Sequence, residues 1–474
     1  MDVSKLQVLP IIILVLYLIV MLAIGFITNK VAIKSSEDYM VAGRRMGVVM
    51  VACSLSANNV GGGSTTGVAA KAFSGWGLSA AWYVLAAAVA MIPLAYFAPK
   101  IRRTLAITIP EVVSRRFGNS AGTVTAVLNI LSLFALTSSQ ILASGSIVSV
   151  LAGIPLNVAI LISGVLVIVY TTMGGMLADQ LSDLIQFFII FVGLLIALPF
   201  VIQGAGGWDA VSRMLPPIEL DVWKIGIPTI LGLIFNYFCT FLSGPEMVSR
   251  FATASDEKTA RRAAVLSAVM MAMLAFIPTL IGLVALAENP GLDGGKGTTA
   301  MMYATTNYAP PIITGFLAAA IVAATMSSAD SNLLCASTML MKDLYQKFFN
   351  PNIEDHKLIR YTRISNIMIC VASMVIAMLN ISLVTLNLFA FALRSAGPFA
   401  AYGLGMIMED ATKHAGLVSI VVGSAAAVIW QLIGQPFGIL AIVFGCFCGV
   451  ISFVLVTKIE RAMGIPPAPS AYLK

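Results

Sequence analysis

The chain is a succession of apolar runs, each about twenty residues long and joined by short polar stretches. Backbone polar groups must be satisfied internally in hydrocarbon, so runs of this length mark membrane-crossing helices. They predict an all-α polytopic membrane protein with thirteen transmembrane helices. The spans fall near 7–27, 47–70, 77–98, 121–152, 156–173, 179–203, 224–244, 261–287, 311–341, 362–381, 384–408, 416–433 and 437–457. Only 10% of the 474 residues are charged, against about 25% in soluble domains. The first run, Leu6 to Ile27, is too long for a signal-peptide core and has no small-residue cleavage site after it, so it reads as a retained span.

Charge placement orients these spans. Alternate joins hold most of the 28 basic residues, among them Lys30, Arg44, Arg45, Arg102, Arg103, Arg115, Arg116, Arg250, Arg261, Lys342, Arg360 and Lys458. The other joins hold only Lys5, Lys71, Arg213, Lys224 and Lys296. The positive-inside rule then sets the amino terminus outside and the carboxyl terminus in the cytoplasm of a plasma (inner) membrane. With this distribution the net charge of +7 does not point to nucleic acid.

Several function classes drop out. The loops leave no room for a soluble catalytic domain, and no His/Cys/Ser triad is present, so an enzyme is not expected. All six cysteines lie in apolar segments, and His356 and His414 lie in loops far from Cys446 and Cys448, which speaks against a transition-metal site. A solute sensor would carry a relay domain after the last span, where only Lys458 to Lys474 follows, a tail expected to be disordered. The outer joins Gly204 to Val222 and Glu288 to Pro311 are either lids or ordinary solvated loops. No obligatory protein partner is evident; lipid, a small solute and ions are the expected partners.

Polar residues interrupt the apolar pattern in a few places. The ninth span carries Ala324, Ser327, Ser328 and Ser331 at i, i+3, i+4 and i+7, one helical face, with Asp330 beside them. Hydroxyls and a carboxylate are hard oxygen ligands of the kind small cations prefer, and intramembrane carboxylates are usually functional. The plainer alternative is serines bonding their own i−4 carbonyls. The second span contains Asn58, Asn59 and the triplet Gly61–Gly63, followed by Ser64. Each glycine costs about 1 kcal/mol against alanine in a helix, so an unwound segment is expected where it can line a cavity. The seventh span carries Pro228, Gly232, Asn236 and then Gly244-Pro245, a weaker interruption. Two interrupted spans five apart point to an inverted-repeat secondary transporter with its site at the midplane. The expected organisation is 1–46 peripheral, repeats 47–203 and 224–408, and peripheral spans with a tail over 409–474.

Asp179, Asp183 and Gln186 share a face of the sixth span. Asp179 is expected at the membrane boundary, where a carboxylate costs little; Asp183, a turn deeper, is either a cation or proton site or a cap. Arg394 is the basic residue expected well inside a span. It calls for a partner, either Asp330 or Asp183, or else the carboxylate of a substrate.

Together these residues resemble the sodium:solute symporter family across nearly the whole chain. The resemblance is carried by Ser36 to Arg44, the Asn- and Gly-rich second span, Pro110-Glu111 with Arg116-Phe117-Gly118, and Gly174-Gly175 leading to Asp183 and Gln186. Pro245-Glu246 to Arg250 and Met326-Ser327-Ser328 complete it. It implies a LeuT-like 5+5 inverted-repeat fold with discontinuous helices and Na⁺-driven import of a small organic solute by alternating access. By position it implies a shared sodium site from the carbonyls of Ala57, Val60 and Ala324 and the hydroxyls of Ser327 and Ser328. It also implies a second cation or proton site, found in some members, at Asp183 with Asp330 and Ser331. Position 330 departs from that pattern, being Asp where the family has serine. Expected substrate contacts are Asn59, Ser64, Gln140, Asn236 and Arg394, with an amino acid or other small carboxylate favoured. No Arg lies on the span 121–152, which speaks against a sugar acid. A proton-driven version of the same scaffold is the alternative.

Overall fold

The structure is a computed structural model that describes residues 8–31, 35–297, 299–379, 383–436 and 439–470. Among these residues the only β pairing is one bridge, Met46 to Ala254; the rest of the ordered chain is helical. Among the described residues, eight helices are long and apolar enough to cross a membrane, or nine when Ile227–Leu242 and Pro245–Thr253, bent by 58° across a short break, are taken as one span. Others of the expected spans take the form of shorter or broken helices. They are Val48–Asn59 with Thr66–Lys71, the first half of Leu156–Gly204, and Leu383–Ser395 with Pro398–Gly403, while the first expected span is the single helix Val8–Val31. The extreme residues of the predicted first segment and of the tail, 1–7 and 471–474, lie outside the described set.

The helix Pro311–Met339 is the axis of the molecule. Its span is 83% buried, against 33% for each of the last two, Lys413–Leu432 and Ala441–Ala462, which pack against each other at the periphery. Apolar side chains gain nothing by leaving lipid for a protein interior, so close packing and polar contacts must select the buried helix. Small residues at Ala318, Ala319, Ala320, Ala323 and Ala324 allow that packing, and the serines supply the polar contacts.

The second span breaks as its glycines predict. Val48–Asn59 ends at Val60, and helix resumes at Thr66. Hydroxyls hold the gap: Ser64 Oγ donates to Asn59 O at 2.7 Å and Thr66 Oγ1 to Gly62 O at 2.8 Å. A second break lies at Gly175 (φ 58°, ψ −163°) within Leu156–Gly204. A Cβ there would stand 2.6 Å from the Tyr39 ring and 2.8 Å from Tyr39 O, so glycine is required both by conformation and by space.

The arginine-rich face is laced shut by side chain to main chain bonds. Arg102 Nε donates to Ala254 O at 2.5 Å, Arg44 Nη2 to Leu105 O at 2.7 Å, and Arg103 pairs with Glu257 at 2.7 Å. Asp256 caps the helix Glu257–Leu274 by accepting from Thr259 N at 2.8 Å, which holds its carboxyl below the usual range. The tail is more ordered than expected. Helix runs to Ala462, and Ala468 is buried with its N–H bonded to Ala411 O at 2.7 Å.

Candidate functional site

The broken second span meets the axial helix at Ser328, one of the residues expected to bind sodium. Ser328 Oγ lies 2.9 Å from Asn58 O and 3.2 Å from its own i−4 carbonyl, Ala324 O. It therefore ties the end of Val48–Asn59 to Pro311–Met339. Ala57, Val60, Ala324, Ser327 and Ser328 are all buried. A helix end leaves its last carbonyls without intrahelical donors, and the break at Val60 creates such an end inside the protein. The approach is tight: a Cβ on Gly61 would stand 2.9 Å from Ser328 Oγ.

One turn further along the axial helix the oxygens become charged. Asp183 is fully buried, and its Oδ1 accepts from Ser327 Oγ at 2.5 Å. Its Oδ2 accepts from Ser54 and, at 2.8 Å, from Arg250 Nη2. Arg250 is itself fully buried. It also reaches Ser331 Oγ at 2.5 Å, Asp179 Oδ2 at 3.3 Å and the carbonyl of Glu246 at 2.9 Å. Ser331 Oγ lies 2.7 Å from Asp179 Oδ1, and Ser331 N donates to Asp330 Oδ1 at 2.8 Å. Asp330 Oδ2 accepts no hydrogen bond, and the Asp330 carboxyl lies against that of Asp179.

Beside Ser328 opens a cavity of about 80 Å³. Of the expected substrate contacts, Asn59, Ser64, Gln140 and Arg394 line it together with Ser328; Asn236 does not. Asn236 is buried outside this wall with its Oδ1 unpartnered. The i+4 spacing from Gly232 placed it on a face without fixing which neighbour that face meets. Aromatic walls come from Tyr83, Tyr237, Phe241 and Phe391.

The partner of Arg394 is neither Asp330 nor Asp183. It is Glu246, at 2.5 Å, with both residues buried on the cavity wall. Arg394 Nε and Glu246 Oε2 make no hydrogen bond within the protein.

Two further expectations are corrected, and one residue joins the site. Arg250 counts by sequence as a loop charge, yet it lies in the core, so Arg394 is not alone there. Asp179 is not a solvated carboxylate: it is 3% exposed and paired to Arg250. Glu246, which spacing in the sequence does not mark as a site residue, lies on the cavity wall just after the break in the seventh span. The 58° bend at that break explains all three, because it turns Pro245–Thr253 back into the bundle.

The sequence profile of the sodium:solute symporter family matches residues 39–423. The high-affinity proline transporter PutP of Bacillus subtilis is 28% identical over 93% of this chain and 96% of its own. The osmoregulated proline transporter OpuE of the same organism is 29% identical over 96% and 95%. A solved structure of a Na⁺-coupled sialic acid symporter, substrate-bound and outward-open, superposes with a TM-score of 0.83 at 20% identity, covering 98% of this chain and 99% of that one. Mhp1, a nucleobase-cation-symport-1 family transporter, superposes with a TM-score of 0.61. The first of these likenesses fixes the fold; the profile fixes the family. The chain belongs to the sodium:solute symporter family, as a multi-pass membrane transporter rather than an enzyme.

Proposed function

We propose that this protein imports a small amino acid, proline in the first instance, coupled to inward movement of Na⁺. The observation that carries this is Ser328, which bonds the carbonyl at the break of the second span and also lines the solute cavity. Na⁺ held there by Ala57, Val60, Ala324, Ser327 and Ser328 joins the two helices and orders the cavity wall in the same act. Solute binding then shifts the population toward the closed form, as a ligand with higher affinity for that form must.

The Arg394–Glu246 pair supports a zwitterionic solute. A solute carboxylate suits the open donor on Arg394, a cationic nitrogen suits the open oxygen on Glu246, and the aromatic walls suit a compact ring. The proline transporters among the relatives point the same way. The scaffold belonging to this reading has thirteen spans. Repeats at 47–203 and 224–408 face opposite ways, and the basic face lies in the cytoplasm.

The test is uptake of labelled proline into proteoliposomes at constant pH. An inward Na⁺ gradient drives accumulation above the level reached with K⁺; equal uptake with either cation rules the reading out.

A further inference from the structure

One face of the axial helix leads out of the solute cavity toward the arginine-rich side. Ser328, Asn332, Cys335 and Met339 follow one another at i, i+4, i+7 and i+11, and so form a row about 16 Å long. The first two line the solute cavity. The last two, with Thr338, line a separate void of about 10 Å³, space for one water at most. The opposite wall is shared in the same way: Glu246 faces the solute cavity, and Ser249, one turn on, faces the void. There the walls touch, with Ser249 Oγ 3.4 Å from Cys335 Sγ.

The row ends at a buried carboxylate. The axial helix widens into π-type turns over Leu340–Gln346, a geometry frequent at functional sites. Within them Asp343 Oδ1 accepts from Thr108 Oγ1 at 3.0 Å. Thr108 is another wall of the void, and it caps the helix Ile109–Phe117 by accepting from Glu111 N at 3.2 Å. Lys347 Nζ donates to Ser114 Oγ of that helix at 2.9 Å. Arg116 ties the other end of the helix to Gly405 O and Met408 O. The short helix is thereby fastened across the end of the row.

Two buried polar atoms along this face have no hydrogen-bond partner within the protein, Asp343 Oδ2 and Thr338 Oγ1. Their residues are 8% and 5% exposed. An unmatched polar atom costs free energy while dry and recovers it when wetted. Closure that leaves such atoms dry is held in balance with a hydrated, open arrangement, as a gate that must work in both directions requires.

We propose that this row is the route by which solute leaves for the cytoplasm, and that the Thr108–Asp343 bond is the latch that holds it shut. The inference rests on the import reading above. Opening draws the helix Ile109–Phe117 and the segment Pro245–Thr253 back from the axial helix. That breaks the latch, lets water reach both orphan atoms and uncovers the Cys335 thiol.

The test treats the purified full-length protein with N-ethylmaleimide, without Na⁺ or proline, and follows each cysteine by peptide mass spectrometry. Cys335 should react slowly in wild type and roughly tenfold faster in Asp343→Ala, the population shift expected from losing one bond to a charged group. Asp343→Asn keeps an acceptor for Thr108 and should stay near wild type. Cys370, fully buried and no part of the void wall, should remain unlabelled in all three. Equal Cys335 rates in wild type and Asp343→Ala overturn the latch; so does Cys370 labelling that rises in step, the mark of general loosening. If Asp343→Ala does not fold, Thr108→Asp is read in its place, since it keeps the helix cap and sets a second carboxylate against Asp343. Protein labelled at Cys335 should still bind proline but no longer carry it inward, while Cys335→Ser should be immune to the reagent. Undiminished uptake after Cys335 labelling overturns the route. Because labelling is read without Na⁺ or solute, wild-type uptake indifferent to Na⁺ would remove the coupling reading and leave the latch standing.

Discussion

Ser328 and Asp330 stand two residues apart on one helix and face two unlike environments. Ser328 meets neutral oxygens, the Asn58 carbonyl at the end of Val48–Asn59 and the Ala324 carbonyl of its own helix. Asp330 borders a charged cluster in which Arg250 holds Asp179 and Asp183. Neutral donors cost little when no ion is bound, since each retains a hydrogen bond. A charged cluster is stable only while its charges are answered. The first environment is therefore suited to binding and releasing an ion in each cycle, and the second to holding the bundle together.

The largest effect expected from this contrast is at Arg250. Arg250→Met leaves the carboxylates unanswered, and removal of one partner from a buried pair costs about 3–5 kcal/mol. Thermal denaturation of the purified protein should show a large loss of stability with transport abolished. Adding Asp183→Asn to that variant should return part of the stability. Wild-type stability in Arg250→Met would show that the cluster does not carry the fold.

Next comes the neutral side. Ser327→Ala and Ser328→Ala should raise the Na⁺ concentration for half-maximal uptake roughly tenfold, the loss of one contact to a charge at about 1.5 kcal/mol. Protein abundance should change far less. Gly61→Ala should act in the same direction, because its Cβ would stand 2.9 Å from Ser328 Oγ. Unaltered sodium dependence in all three would erase the distinction between the two environments.

A smaller and separable effect is expected at the solute. Glu246→Gln weakens the contact to a cationic nitrogen, so the proline KM should rise severalfold while Na⁺ half-saturation stays near that of wild type. Smallest is Ser64→Ala, which removes one bond to Asn59 O worth about 1 kcal/mol; a modest KM change is its expected limit.

Much of the neutral side was legible in the sequence because its signals are local. Gly61–Gly63 disfavour helix wherever they lie, and Ser327 and Ser328 share a face by spacing alone. The charged side was only half legible. Asp183 and Asp330 stand out as carboxylates in apolar runs, but their partner Arg250 reads as a loop charge. Only the bend between Leu242 and Pro245 carries it into the core. The same bend brings Glu246 to Arg394, a pairing across 148 positions that no periodicity contains. Asn236 shows the converse: a polar residue at a suggestive spacing whose side chain lies outside the cavity wall.

The most direct measurement is Na⁺-dependent proline uptake by wild type and Ser328→Ala in proteoliposomes over a range of external Na⁺ at fixed pH and potential. The account predicts saturable activation of wild type and a curve displaced to higher Na⁺ in the variant, with the same maximal rate approached at high Na⁺. Superimposable curves, or uptake that needs no Na⁺ in either protein, would contradict it.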